Sequence, residues 1–182
     1  MLRNSFALII IAFFLAFAQA EEKIASATSV ETKVETRPTV ETDFKKAPTI
    51  DPNIKVTKIH EFRNDEKYNP GGNPALEFEQ LYWNHGAILG DEVESRRGHY
   101  FVISWANKGP AANFTTRFEY RQVKTKDVVR VLTMDHPNAK GASRSTFAVL
   151  GDAYRAYGPV VSWRFTVLQG DKVVGEEKSF IW

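Results

Sequence analysis

Over residues 54–182 the apolar and polar positions alternate with a period of two. In 113–121, "NFTTRFEYR", Phe114, Thr116, Phe118 and Tyr120 fall on one side, and Thr115, Arg117, Glu119 and Arg121 on the other. In 160–169, "VVSWRFTVLQ", Val161, Trp163, Phe165 and Val167 alternate with Ser162, Arg164 and Thr166. Such alternation predicts half-buried antiparallel strands. The run 99–105, "HYFVISW", is apolar on both faces except at Ser104, as a central strand would be. Further strands are expected at 54–62, 76–83, 128–134, 144–150 and 173–182. Turn signals separate them at "NPGGNP" (69–74), "NKGP" (107–110), "KTKD" (124–127), "NAKG" (138–141) and "QGDK" (169–172), the last with a Gly170-Asp171 hairpin signature. About seven or eight short strands without a long amphipathic helix predict an all-β fold, an antiparallel sandwich, with a barrel as the alternative.

The chain before residue 54 is different material. Residues 1–20 carry one charge, Arg3, then an apolar run from Phe6 to Ala18 ending in Ala18-Gln19-Ala20. This pattern predicts a secretory signal peptide, too short to be an anchor that spans a bilayer. Residues 21–53 repeat Val-Glu-Thr at 30–32, 34–36 and 40–42, with Phe44 as the only aromatic. So little apolar mass predicts a disordered spacer. All four tryptophans and all six tyrosines fall in 54–182, which is expected to be one folded domain.

The order and spacing of the expected strands resemble immunoglobulin-like and fibronectin type III-like sandwiches. "LGDAYRAYG" (150–158) lies where those folds cross between sheets, which implies Tyr154 or Tyr157 as a corner tyrosine bonded to backbone. The immunoglobulin Cys-Trp-Cys pattern is absent, since the chain has no cysteine. The run from "YWNHGA" to "SFIW" is also similar to small exported bacterial proteins with no assigned activity.

Charge and composition narrow the function. Lys+Arg 24 against Asp+Glu 22 leaves a net charge of +2, which argues against a nucleic-acid partner. Without cysteine there is no disulfide, thiolate nucleophile or lipid-anchored cysteine, and export then points to the periplasm or outside of a bacterial cell. Chemistry concentrates in 82–100, "YWNHGAILGDEVESRRGHY". Its centre predicts one short helix near 91–97. Asp91 would be its N-cap, with Glu94 completing a capping box, Arg96 and Arg97 in the last turn and Gly98 as a left-handed C′ residue. His85 and His99 flank it, but their spacing with Asp91 or Glu94 matches no established metal-ligand pattern. Glu77 and Glu79 would share one face of a strand, as paired carboxylates or as a solvent face. No nucleophile elbow, phosphate loop or dinucleotide turn occurs.

The expectation is therefore an exported, non-catalytic binding or scaffolding protein without cofactor or metal. An envelope protein or an anionic polysaccharide would be its partner, met by Arg96, Arg97, His99 and Tyr100. The alternatives are a small secreted hydrolase or metal-dependent enzyme with its site at 85–99, or an envelope-assembly factor acting by strand addition. The terminal "SFIW" invites an outer-membrane barrel, but Glu176 and Lys178 share its strand face.

Overall fold

A computed structural model describes residues 48–69 and 71–182. The expected signal peptide, residues 1–20, and residues 21–47 of the expected spacer lie outside the described residues. Five strands form one antiparallel sheet: β1 (Ile54–Asn64), β2 (Gly98–Gln122), β3 (Thr125–Leu150), β4 (Val160–Gln169) and β5 (Lys172–Lys178). Three helices interrupt them: α1 (Pro74–Trp83) and α2 (Gly90–Arg96) between β1 and β2, and α3 (Gly151–Tyr157) between β3 and β4.

The strand count is lower than the alternation suggested because two pairs of expected strands are continuous. "NKGP" and "NAKG" are not chain reversals. They face each other across the β2–β3 ladder, where Asn107 pairs with Gly141 and Ala112 with Ala139, and the register slips between those pairs. Such irregularities bend a strand without ending it. The first half of β2 pairs with β1 and with the end of β3. Its second half pairs with the start of β3 and with β4, which carries β5.

The bend curls the sheet into a half-barrel, and its concave face is the core. Phe101 from the first half of β2 lies 4.7 Å from Phe118 in the second half, ring centre to ring centre. Phe118 also stacks on Phe147 at 5.2 Å, and Trp105 meets Phe114 edge-on at 5.5 Å. The ends of the curl meet where Asp51 donates its N–H to the Val174 carbonyl at 2.9 Å. Gly175 is needed at this meeting: a Cβ there would stand 2.8 Å from Ile54 Cγ2.

The alternation read in β2 and β4 holds, with one addition on the convex face. Glu119 is buried there, 2.9 Å from Arg117 Nη2 and 2.5 Å from Arg164 Nε. The C-terminal tail covers this group. Ser179 bonds both backbone groups of Trp163, and the Trp182 ring lies over Arg121 and Arg164 at 4.2 and 5.3 Å. The Gly170-Asp171 hairpin forms as expected, with Gly170 at φ 58°.

Residues 76–83 are helix, not strand. Asn73 caps α1 by accepting the Ala75 N–H at 3.1 Å, and Pro74 occupies its first turn, where a missing N–H costs nothing. Tyr154 lies on α3 and donates its hydroxyl to Asp65 at 2.9 Å, not to backbone as a corner tyrosine would. Tyr157 lies under the Arg130 guanidinium at 4.1 Å.

Candidate binding site

The helix expected near 91–97 exists as α2, but a different residue caps it. It starts at Gly90, and Glu92 turns back to accept the Ile88 and Leu89 N–H groups at 2.7 and 3.0 Å. The Leu89 and Ile88 N–H groups hold the Glu92 carboxyl below the usual carboxylate range. Asp91 accepts only the neighbouring Glu92 N–H, at 3.0 Å, and Glu94 pairs with Arg97 at 2.8 Å. Gly98 is no left-handed cap. It begins β2, where a Cβ would stand 2.3 Å from the Val149 carbonyl oxygen, so glycine is needed for close strand pairing.

The four residues expected to form a contact surface do not lie together on one. Arg96 donates to the His85 carbonyl, and Arg97 is held by Glu94. Tyr100 is buried on the convex face, stacked on Trp83 of α1 at 4.1 Å, and its hydroxyl donates to the Arg96 carbonyl at 2.7 Å. Burial pushes its phenol up to about 12.

His99 points the other way, into the core, and is fully buried. Its Nδ1 accepts the Val160 N–H at 3.2 Å, so the proton of the neutral ring sits on Nε2, which donates to Glu61 at 2.8 Å. Burial pulls the imidazole below its ordinary value, against the opposing influence of Glu61, while Arg63 adds to the depression. A histidine depressed in the folded state binds fewer protons folded than unfolded, so stability rises with pH through that window. The contribution is complete above the unfolded value of about 6.5 and fades as the pH falls below it. A proton on Nδ1 would also orphan the Val160 N–H, a loss on the order of 1 kcal/mol. The urea midpoint should therefore fall between pH 7.5 and 5.5. His99→Gln should flatten that slope, and His136→Asn measures the separate share of His136, which its own burial depresses in the same direction. A slope unchanged by His99→Gln would contradict this assignment.

The remaining alternatives resolve into separate contacts. Glu77 and Glu79 lie two residues apart on a helix, so they point in different directions. Glu77 accepts the Gly72 N–H at 2.8 Å, and Glu79 binds His60 and the Trp83 indole. Among the described residues no three His, Asp or Glu side chains gather as a metal site would require. His136 lies 3.0 Å from the Ser145 hydroxyl. That pair is not a working nucleophile and base. Ser145 is fully buried, and its hydroxyl also accepts the Trp105 indole N–H at 3.2 Å and meets Thr116 at 3.0 Å. Its role is to satisfy polar groups inside the curl.

What the structure does leave open is the outer side of α1. No residue of this helix is fully buried. Phe78 is 73% exposed, Leu81 72% and Tyr82 66%, and in the following loop Ile88 is 88% and Leu89 59% exposed. Phe78, Leu81, Tyr82, Trp83 and His85 line an open groove of about 700 Å³. Single exposed apolar residues are ordinary, but this many in twelve positions make an exposed apolar patch, the kind of surface that interaction sites use. From residue 71 to 95 the chain carries Glu77, Glu79, Asp91, Glu92 and Glu94 and no Lys or Arg. The signal was present in "LEFEQLYW" but was masked by its alternation, which reads as strand. Neither the protein-family models nor the curated proteins give any match to this chain.

Proposed function

We propose that the protein is an exported, non-catalytic binding module of the envelope or extracellular space, and that it engages its partner through the outer side of α1 and the α1–α2 loop. The observation that carries this reading is the exposure of Phe78, Leu81, Tyr82, Ile88 and Leu89 on elements that bury no side chain of their own. The charge of the stretch decides what fits, since residues 71–95 carry five carboxylates and no Lys or Arg. An anionic lipid surface would be repelled. A second copy would bring the same acidic stretch, and the spacer at 21–53 has a net negative charge of its own. A cationic amphipathic segment of another protein suits both the apolar surface and the acidic character of the stretch that carries it. Export rests on the leader-like residues 1–20, and the spacer would hold the module away from a surface.

The test is a titration with an amphipathic Leu/Lys 18-mer and its Leu/Glu counterpart, followed by NMR shifts. The Leu/Lys peptide should shift residues of α1. Phe78→Ser combined with Leu81→Ser should weaken it at least tenfold, with the unfolding midpoint unchanged because both side chains are exposed. Equal binding by the double variant, or by the Leu/Glu peptide, would refute the reading.

One observation favours strand addition as a second reading. Among the described residues β3 pairs only with β2, so its other edge is open. The immunoglobulin-like or fibronectin type III-like likeness is likewise a proposal. Its support is the bend, which packs the two halves of β2 against each other. Counting the halves of β2 and β3 separately gives about seven strand segments, the number such sandwiches use.

A further inference from the structure

A second concavity lies on the convex face of the sheet, where α1 overhangs β1, β2 and β3. It has a volume of about 270 Å³ and is lined by Lys58, His60, Glu79, Tyr82, Trp83, Val102, Arg144 and Thr146. The strand register builds its floor. Lys58 pairs with Ser104 and Ser104 with Arg144, so these three form one row across the sheet. His60, Val102 and Thr146 form the next row on the same face. Neighbouring strands are about 4.8 Å apart, which places the Lys58 and Arg144 backbones about 10 Å apart on either side of Ser104. Neither cation has a hydrogen-bond or ion-pair partner for its side chain among the described residues. The opposite wall is aromatic, from Tyr82 and Trp83, and carries the hydrogen-bonded pair His60 and Glu79.

These groups ask for three things in one ligand. Two cations that straddle a serine call for an anionic group, and a carboxylate suits the planar guanidinium of Arg144. Glu79 beside them would repel a purely anionic molecule but accept from a hydroxyl donor. Tyr82 and Trp83 offer flat apolar surface with polar tips, suited to a ring that is apolar on its faces and polar at its edge. We propose that this cleft binds an acidic carbohydrate, a chain whose sugar rings carry carboxylates. The carboxylate would lie between Lys58 and Arg144, the ring against Tyr82 and Trp83, and the ring hydroxyls toward Glu79, His60 and Thr146. The volume is near the lower end of small-ligand sites and the cleft is open, so a chain can enter by one residue and continue along the surface. This site shares Tyr82 and Trp83 with the apolar groove, but Lys58 and Arg144 line this cleft alone and Phe78 and Leu81 the groove alone, so separate variants test the two.

The experiment is calorimetric titration of the purified protein with a galacturonic acid tetramer, the neutral galactose tetramer, benzoate and inorganic phosphate. The acidic tetramer should bind, more weakly as salt screens the cations, and the other three should bind at least tenfold more weakly. Lys58→Ala combined with Arg144→Ala should weaken the acidic tetramer at least tenfold. Arg144→Lys, which keeps the charge but not the planar fork, should lose part of that. Phe78→Ser combined with Leu81→Ser should leave it unchanged. Both cations are exposed, so an unchanged unfolding midpoint will accompany these variants. The proposal is overturned if the acidic tetramer fails to bind at millimolar concentration, if the neutral tetramer matches it, or if the double variant binds it as well. It is also overturned if benzoate or phosphate matches it, which would make this a simple anion site.

Discussion

Phe118→Ala is expected to destabilise the protein by about 4 kcal/mol, read as a lower urea midpoint. The ring is fully buried where the two halves of β2 pack against each other. Phe101, Phe147, Tyr120 and Trp163 surround it, with ring centres 4.7, 5.2, 5.9 and 6.1 Å away. Its own strand is central, with β3 pairing on one side and β4 on the other through Leu132 and Phe165. Collapse onto the vacated space would need two ladders to move together, so most of the cavity should persist. Phe118→Leu retains much of the volume and should cost about 1.5 kcal/mol. An alanine variant no worse than the leucine variant would mean that the two halves of the sheet do not pack as described.

Glu119→Ala should cost about 3 kcal/mol, through charge rather than volume. Removing one partner of a buried ion pair typically costs about 3–5 kcal/mol because a desolvated charge is left behind. The lower end applies because Arg117 and Arg164 keep 15% and 21% exposure against 2% for Glu119. Without the carboxylate, two guanidinium groups lie close together on one sheet face beside Arg121, with Trp182 over part of them. Removing one of the two guanidinium groups with Arg117→Met in the Glu119→Ala background returns the local charge to its original value and should recover part of the loss. Salt should also narrow the gap to the parent protein, which a volume defect such as Phe118→Ala would not show.

The parts of this fold legible in the sequence are those set by local period and local turn chemistry. Trp163, Phe165 and Val167 point inward with Phe118 as alternation demands, and Gly170-Asp171 closes its hairpin. The bends at 107–112 and 137–141 were not legible because their meaning is non-local. Asn-Lys-Gly-Pro and Asn-Ala-Lys-Gly each read as a turn, and only their pairing across two strands turns them into one bend. Residues 76–83 failed for another reason. Leu76, Glu77, Phe78 and Glu79 alternate perfectly, while the evidence for helix lay just outside, in Asn73-Pro74. That error hid the site, since a strand would have turned Leu76 and Phe78 toward a core. His99 and Tyr100 were expected at the surface as neighbours of two arginines. Strand geometry sends them to opposite faces, and both faces are covered, one by the core and the other by Trp83.

The β2–β3 hairpin also sets an order in time. Only Val123 and Lys124 separate its arms, so the Gln122–Thr125 pair closes with little loss of chain entropy and the ladder can zip away from it. β4 and β5 follow within a short stretch of chain. The contact of Asp51 with Val174 joins opposite ends of the described chain and must close late. A chain folding from the unfolded state would thus build its spine first and seal its seam last. The seam is where the start of β1 meets β5, and there an incompletely folded chain would stay open longest.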